Sequence, residues 1–140
     1  MLYFDTSALL PYYRQEAGSE AVQSLLTQQD SPVLISQLTE VEVASALARW
    51  VRTGELSEPQ ANRMESAFFE DVSIGRFVIC RIETSHYQRA GHWLLARKTA
   101  LRTLDALHLA CAESRHAVLV TQDEALMKAA LHFGLRAQRP

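Results

Sequence analysis

Four short apolar runs punctuate this chain: Leu2 to Phe4, Val33 to Ile35, Phe77 to Ile82 and Ala117 to Val120. None alternates between polar and apolar residues. A strand that reads apolar on both faces belongs in a sheet covered on both sides, so these runs are expected to be buried, mostly parallel strands. The stretches between them carry helical periodicity. Ala21, Val22, Leu25 and Leu26 form one stripe, and Val43, Leu47, Trp50 and Val51 another within a helix expected from Thr39 to Arg52, closed by Gly54. Ser57 with Gln60 makes a capping box, with Pro59 in the first turn. Tyr87, Ala90, Gly91, Leu94 and Leu95 mark a further helix, followed by Leu104 to Ser114 and by Asp123 to Phe133, which Gly134 stops. A fifth, short strand is expected after Gly134. Alternation of this kind predicts an α/β/α sandwich around a central, mostly parallel sheet.

With 140 residues the chain is expected to be one domain, 1–140, burying roughly two-thirds of its unfolded surface. A composition 48% apolar and 21% charged argues against disorder. No apolar run approaches the ~18 residues of a membrane span. The N-terminal MLYFDTSALL lacks a basic leader and is broken by an acid, so no secretory signal is read there and a cytoplasmic protein is expected. Cys80 and Cys111 sit in apolar surroundings, as reduced core thiols do. The five histidines form no i,i+4 pair, which argues against a histidine-based metal site. A net charge of −2 requires that any nucleic acid be held by a local basic patch.

The segment TLDALHLACA, Thr103 to Ala112, poses a physical problem: between Leu104 and Ala112 only Asp105 and His108 are neither apolar nor small. An unpartnered carboxylate in such a setting costs several kcal/mol or takes up a proton. Three more acids stand in comparable places. Asp5 follows the first strand between LYF and ALL, Glu42 is expected in the first turn of the helix after the second strand, and Asp123 follows the fourth strand. In an open parallel sheet, strand C-termini and the next helix N-termini share one edge, where ligands bind. Each acid also has a local explanation. Thr39 and Glu42 have capping-box spacing, Asp123 is a good N-cap, Asp105 gains from a helix N-terminus, and Asp5 can start a turn with Thr6 and Ser7. Capping alone would scatter the acids over the surface. Gathered in one pocket they would repel one another unless a cation joined them, and an all-oxygen cluster suits Mg2+ or Mn2+.

LYFDTSALL, SQLTEVEVASALAR, LRTLDALHLACA and VLVTQDEAL, in this order and over essentially the whole chain, resemble the PIN-domain family and within it the VapC-type ribonuclease toxins of toxin–antitoxin pairs. The resemblance implies an α/β/α sandwich and metal-dependent endonucleolytic cleavage of RNA. It assigns Asp5, Glu42, Asp105 and Asp123 as the catalytic acids, with Asp5, Asp105 and Asp123 on the metal and Ser7 and Thr121 in support. Glu40 competes with Glu42, but residues two apart on a helix point about 200° apart, and the family register favours Glu42. The resemblance also implies a small antitoxin that covers the acidic pocket, often with an arginine, and a homodimer, for which the helices near Trp50 and Phe68–Phe69 offer apolar surface.

One or two ions would hold the scissile phosphate and activate water for in-line attack, leaving a 5′-phosphate. Arg97, Lys98 and Arg102 form the densest basic stretch and are candidates to grip RNA, with Arg49, Arg52 and Arg89 beside them. Tyr12, Tyr13 and Trp93 are candidates either for base stacking or for core packing. His108, one turn from Asp105, is read as a core histidine or one standing behind the acids. Haloacid-dehalogenase-type phosphatases need D-x-D after the first strand, where position 7 is serine. Phosphoacceptor receiver domains need paired acids there and a lysine after a late strand, where Gln122 stands. A non-catalytic PIN-like RNA- or protein-binding module and a DNA-cutting nuclease of the same fold remain as alternatives.

Overall fold

In the computed structural model, which describes all 140 residues, β1 (Leu2–Phe4), β2 (Val33–Ser36), β3 (Phe77–Cys80), β4 (Val118–Val120) and β5 (Ala137–Gln138) form one sheet. Their order is β3-β2-β1-β4-β5, and every pairing is parallel. Seven helices cover it: α1 (Thr6–Tyr13), α2 (Ser19–Thr27), α3 (Gln37–Arg52), α4 (Glu58–Ser73), α5 (Thr84–Ala96), α6 (Thr103–Ser114) and α7 (Glu124–His132).

Period-two alternation sorts the strand side chains into two cores. Tyr3, Leu34 and Leu119 point towards α5, α6 and α7, where they meet Trp93, Leu109 and Leu126. Phe4, Val33, Ile35 and Val120 point the other way, against Leu9, Val22, Val43, Trp50 and Phe68. Along β1, β2 and β4 both faces are covered, and this is why those runs read as continuously apolar; at the edge strand β3, Val78 is exposed. Each fully buried Leu, Phe or Ile stabilises the fold by roughly 1.5–3 kcal/mol.

Three local readings change. The stretch after Asp5 is helix α1 rather than a turn: Asp5 is its N-cap and accepts from the Ala8 N–H at 2.9 Å. Pro11, inside this helix, disguises it, because it has no N–H for the Ser7 carbonyl. Helix α3 starts at Gln37, not Thr39. Thr39 is buried within its first turn, and its hydroxyl accepts from the Ser36 N–H at 3.3 Å. The expected Thr39–Glu42 capping box therefore does not form, and Glu42 falls in the second turn, free to face elsewhere. Strand β3 ends at Cys80, before Arg81 and Ile82. The Ser57–Gln60 box forms as read, and both cysteines are free and buried. No helix is long and apolar enough to cross a membrane.

The topology determines where the site lies. From β1 the chain adds β2 and then β3 on one side, and then returns to place β4 on the other side of β1. The direction of winding switches between β1 and β4, opening a crevice at their C-terminal ends. There the Asp5 N–H donates to the Val120 carbonyl at 3.2 Å, so the residues following the two strands are neighbours.

Candidate active site

Asp5 leaves β1 straight into this crevice and is 3% exposed. Its Oδ1 accepts from the Ala8 N–H at 2.9 Å and from Ser7 Oγ at 2.8 Å, and its Oδ2 accepts from Thr121 Oγ1 at 2.5 Å. Ser7 Oγ also accepts from the Gln122 N–H at 3.0 Å, and Thr121 Oγ1 from the Asp123 N–H at 3.0 Å. The two hydroxyls thus tie the ends of β1 and β4 together around one carboxylate. Burial pushes the Asp5 carboxyl above the usual range, with Thr121, His108 and Ser7 opposing it.

Glu42 reaches the crevice from α3. Its Oε1 accepts from Thr6 Oγ1 at 2.8 Å and meets His108 Nε2 at 2.5 Å. Burial raises this carboxyl, but His108 and Thr6 outweigh burial and hold it below the ordinary glutamate value. Asp105, in the first turn of α6, is pushed up by burial, with Arg102 opposing and Asp123 reinforcing. Asp123 is the N-cap of α7: its Oδ1 accepts from the Leu126 N–H at 2.8 Å, leaving Oδ2 to face the crevice. Arg102 spans the last two acids, with Nε 3.2 Å from Asp105 Oδ2 and Nη2 3.4 Å from Asp123 Oδ2.

All four predicted acids therefore line one cavity, together with Thr6, Ser7, Ser45, Arg49, Arg102 and His108. Glu40 lines a different groove, between α3 and α4, and it is Glu42 that lines this cavity. No three carboxylates, histidines or cysteines converge on one point as the site stands. The donor set still suits a hard divalent ion. It is all oxygen, and burial disfavours the charge of two of its carboxyls, Asp5 and Asp105. A cation already occupies the gap between Asp105 and Asp123, but it is the guanidinium of Arg102.

Of the basic residues, Arg102 and Arg49 reach the cavity. Arg97 caps α5, and Lys98 lies beside Glu124 and Lys128 in a separate depression. Arg89 is engaged by Glu113 through bonds of 2.7 and 2.6 Å and stacks over Trp93. The base-stacking reading of the aromatics does not hold. Trp93 is buried and stacked on Phe133, and Tyr12 and Tyr13 pack against Phe77 and Phe68. Trp50 and Phe68 are core residues, and Phe69 is the exposed member of that apolar set. Thr6, Tyr3 and Ser45 were not anticipated at or behind the site. Only Thr6 had a signal, its place beside Asp5.

A sequence model of the PIN domain matches residues 2–131. The chain belongs to the PIN-domain family. Among curated relatives of this PIN domain, Ribonuclease VapC45 of Mycobacterium tuberculosis (strain CDC 1551 / Oshkosh) is 36% identical over 112 residues, which cover 80% of this chain and 74% of the relative. The match is of the VapC type, and Ribonuclease VapC49 of strain ATCC 25618 / H37Rv gives the same figures. Among solved structures, Mycobacterium tuberculosis VapC20, described as a sarcin-ricin loop cleaving toxin, superposes with a TM-score of 0.72 at 13% identity and covers 100% of both chains. A toxin–antitoxin complex from Klebsiella pneumoniae gives 0.65 at 20% identity, covering 88% of this PIN domain and 87% of that chain. At such identities these two likenesses speak for the fold.

Proposed function

We propose that this PIN domain is a Mg2+- or Mn2+-dependent endoribonuclease, the toxin of a toxin–antitoxin pair. The observation that carries the reading is the convergence of Asp5, Glu42, Asp105 and Asp123 on one cavity at the β1/β4 switch point. The 36% identity to curated VapC ribonucleases supports RNA as the substrate. Asp5, Asp105 and Asp123 would hold the ion, which when bound supplies Lewis-acid stabilisation of the phosphate and lowers the pKa of water.

The chain's own residues do the rest. Ser7 and Thr121 fix the direction of Asp5 so that its charge faces the cavity. Glu42 offers Oε2, which accepts no hydrogen bond from the protein, to orient the attacking water and take its proton. Arg102 and Arg49, which line the cavity, would neutralise the non-bridging phosphate oxygens. Water adds to phosphorus, the P–O3′ bond breaks, and the products carry a 5′-phosphate and a 3′-hydroxyl.

An antitoxin partner fits the same geometry. The Asp105–Asp123 gap already accommodates a guanidinium, so an arginine supplied by a partner could form charge-assisted bonds there and exclude both metal and substrate. That a homologous fold occurs in a toxin–antitoxin complex supports such a partner. A homodimer, a cytoplasmic location and contributions of Arg97 and Lys98 to RNA binding belong to the same reading.

The test is cleavage of structured RNA with Mn2+, with EDTA, and by the Asp5→Asn variant. Expected are 5′-phosphate ends, loss of cleavage with EDTA, and loss with Asp5→Asn in a protein that remains folded. Cleavage surviving both would overturn the reading. Cutting of single-stranded DNA alone would replace the substrate, and binding without cutting would leave a non-catalytic PIN module.

A further inference from the structure

Tyr3 and His108 put two polar groups where apolar side chains would fill the same volume. Tyr3, in the middle strand, is 0% exposed, and His108, on α6, is 2% exposed. Burying a hydroxyl and an imidazole carries a desolvation cost that is offset only when every polar atom finds a partner. Here each does. The Tyr3 hydroxyl meets His108 Nδ1 at 2.7 Å, and His108 Nε2 meets Glu42 Oε1 at 2.5 Å. Thr6 Oγ1 donates to the same Glu42 oxygen at 2.8 Å.

The donor pattern orients the ring. A carboxylate oxygen only accepts, so Nε2 carries the hydrogen that Glu42 receives, while Nδ1 faces the tyrosine hydroxyl. Residues from β1, α6 and α3 are thereby joined into one chain of hydrogen bonds that begins in the core and ends at the cavity wall. Glu42 is the only link that opens onto the cavity through a free atom: Oε1 holds two donors, and Oε2 holds none from the protein.

We propose that His108, itself held by Tyr3, is a positioning residue that pins the Oε1 edge of Glu42, so that this side chain meets the substrate through Oε2 alone. The consequence for cleavage rests on the nuclease reading above; the pinning itself does not. Without the imidazole N–H, Glu42 retains only Thr6 and swings about its last torsion. A carboxylate that orients a reacting group tolerates little misplacement.

Two measurements test this. In protein labelled with 15N at histidine, His108 should show the Nε2–H form and a slowly exchanging imidazole proton, which disappears in Glu42→Ala. Kinetically, His108→Leu, which fills the volume without a donor, should lower kcat for RNA cleavage about 10- to 100-fold with KM little changed. His108→Gln, whose amide can donate to Oε1, should recover most of the loss, and Tyr3→Phe should fall between the two. An Nδ1–H form, a folded His108→Leu protein with unaltered kcat, or a His108→Gln protein no better than His108→Leu would overturn the proposal. If His108→Leu does not fold, His108→Gln, Tyr3→Phe and the spectrum decide. If the wild-type protein cuts no RNA, the nuclease reading fails, while the labelled spectrum still tests the pinning.

Discussion

Asp5 accepts hydrogen bonds from Ala8, Ser7 and Thr121, and burial still holds its carboxyl above the usual range. Asp105 is shifted the same way for the same reason. A carboxyl raised by folding binds its proton more tightly in the folded chain than in the unfolded one. Stability is therefore highest with the proton on, and it falls as pH rises from the ordinary aspartate pKa, about 3.9, through the raised values. Glu42, lowered by His108 and Thr6, acts with the opposite sign. Its contribution is present above the ordinary glutamate value and is lost as pH falls through its lowered one. The two effects occupy different windows. Without metal, Tm should decline as pH climbs from about 4 towards neutrality, and Mn2+ should restore it there. Thermal melts across that range, with and without Mn2+, check this; a profile that Mn2+ leaves unchanged would count against the ion. Arg102 makes a second prediction at this scale. Its guanidinium spans Asp105 and Asp123 while its side chain is 74% exposed, so an incoming ion competes with it. Arg102→Ala should tighten Mn2+ binding in calorimetry. The same change should weaken RNA binding and make the salt slope shallower by about one phosphate contact.

Helix starts carry much of the site. Asp5 and Asp123 are N-caps of α1 and α7, each using one carboxylate oxygen for a backbone N–H while the other faces away from it. The local capping reading and the functional reading are thus both true of the same residue. Asp123→Asn separates them. Asparagine caps about as well as aspartate, so urea unfolding should move by no more than about 0.5 kcal/mol, whereas loss of the charge should suppress cleavage. An equally active Asp123→Asn protein would reduce this acid to a cap. The errors of the sequence reading also lie at helix starts. Pro11 hid α1 because proline ordinarily marks a break, yet the remaining bonds of this short helix suffice. The Thr39–Glu42 spacing imitated a capping box because T-x-x-E records spacing alone and not which residue leaves the strand last.

Over the whole molecule, a net charge of −2 coexists with a cavity that gathers four acids and two arginines. RNA must approach through that local patch, and its binding should weaken with added salt. The sheet that supports the patch depends on two dry cores. Leu119, fully buried at the centre of β4, should cost about 2–5 kcal/mol when changed to alanine. Measured by urea unfolding, this is a large share of the ~5–15 kcal/mol typical of a domain. Cleavage per folded molecule should stay close to wild type, because Leu119 lines the core and not the cavity.

The succession of dry strands and amphipathic helices, and the acids that follow three of the strands, were legible along the chain. Periodicity and strand-end chemistry are local properties, read within about ten residues of one another. The gathering of the acids was an inference from the rule for parallel sheets, and the order β3-β2-β1-β4-β5 made it a fact of geometry. Folding alone decided that Thr6 and His108 hold Glu42, that Arg102 bridges two acids, and that Tyr3 meets His108 across 105 residues of sequence. Those contacts depend on rotamers and on which helix covers which strand, and neither leaves a periodic trace in the order of residues.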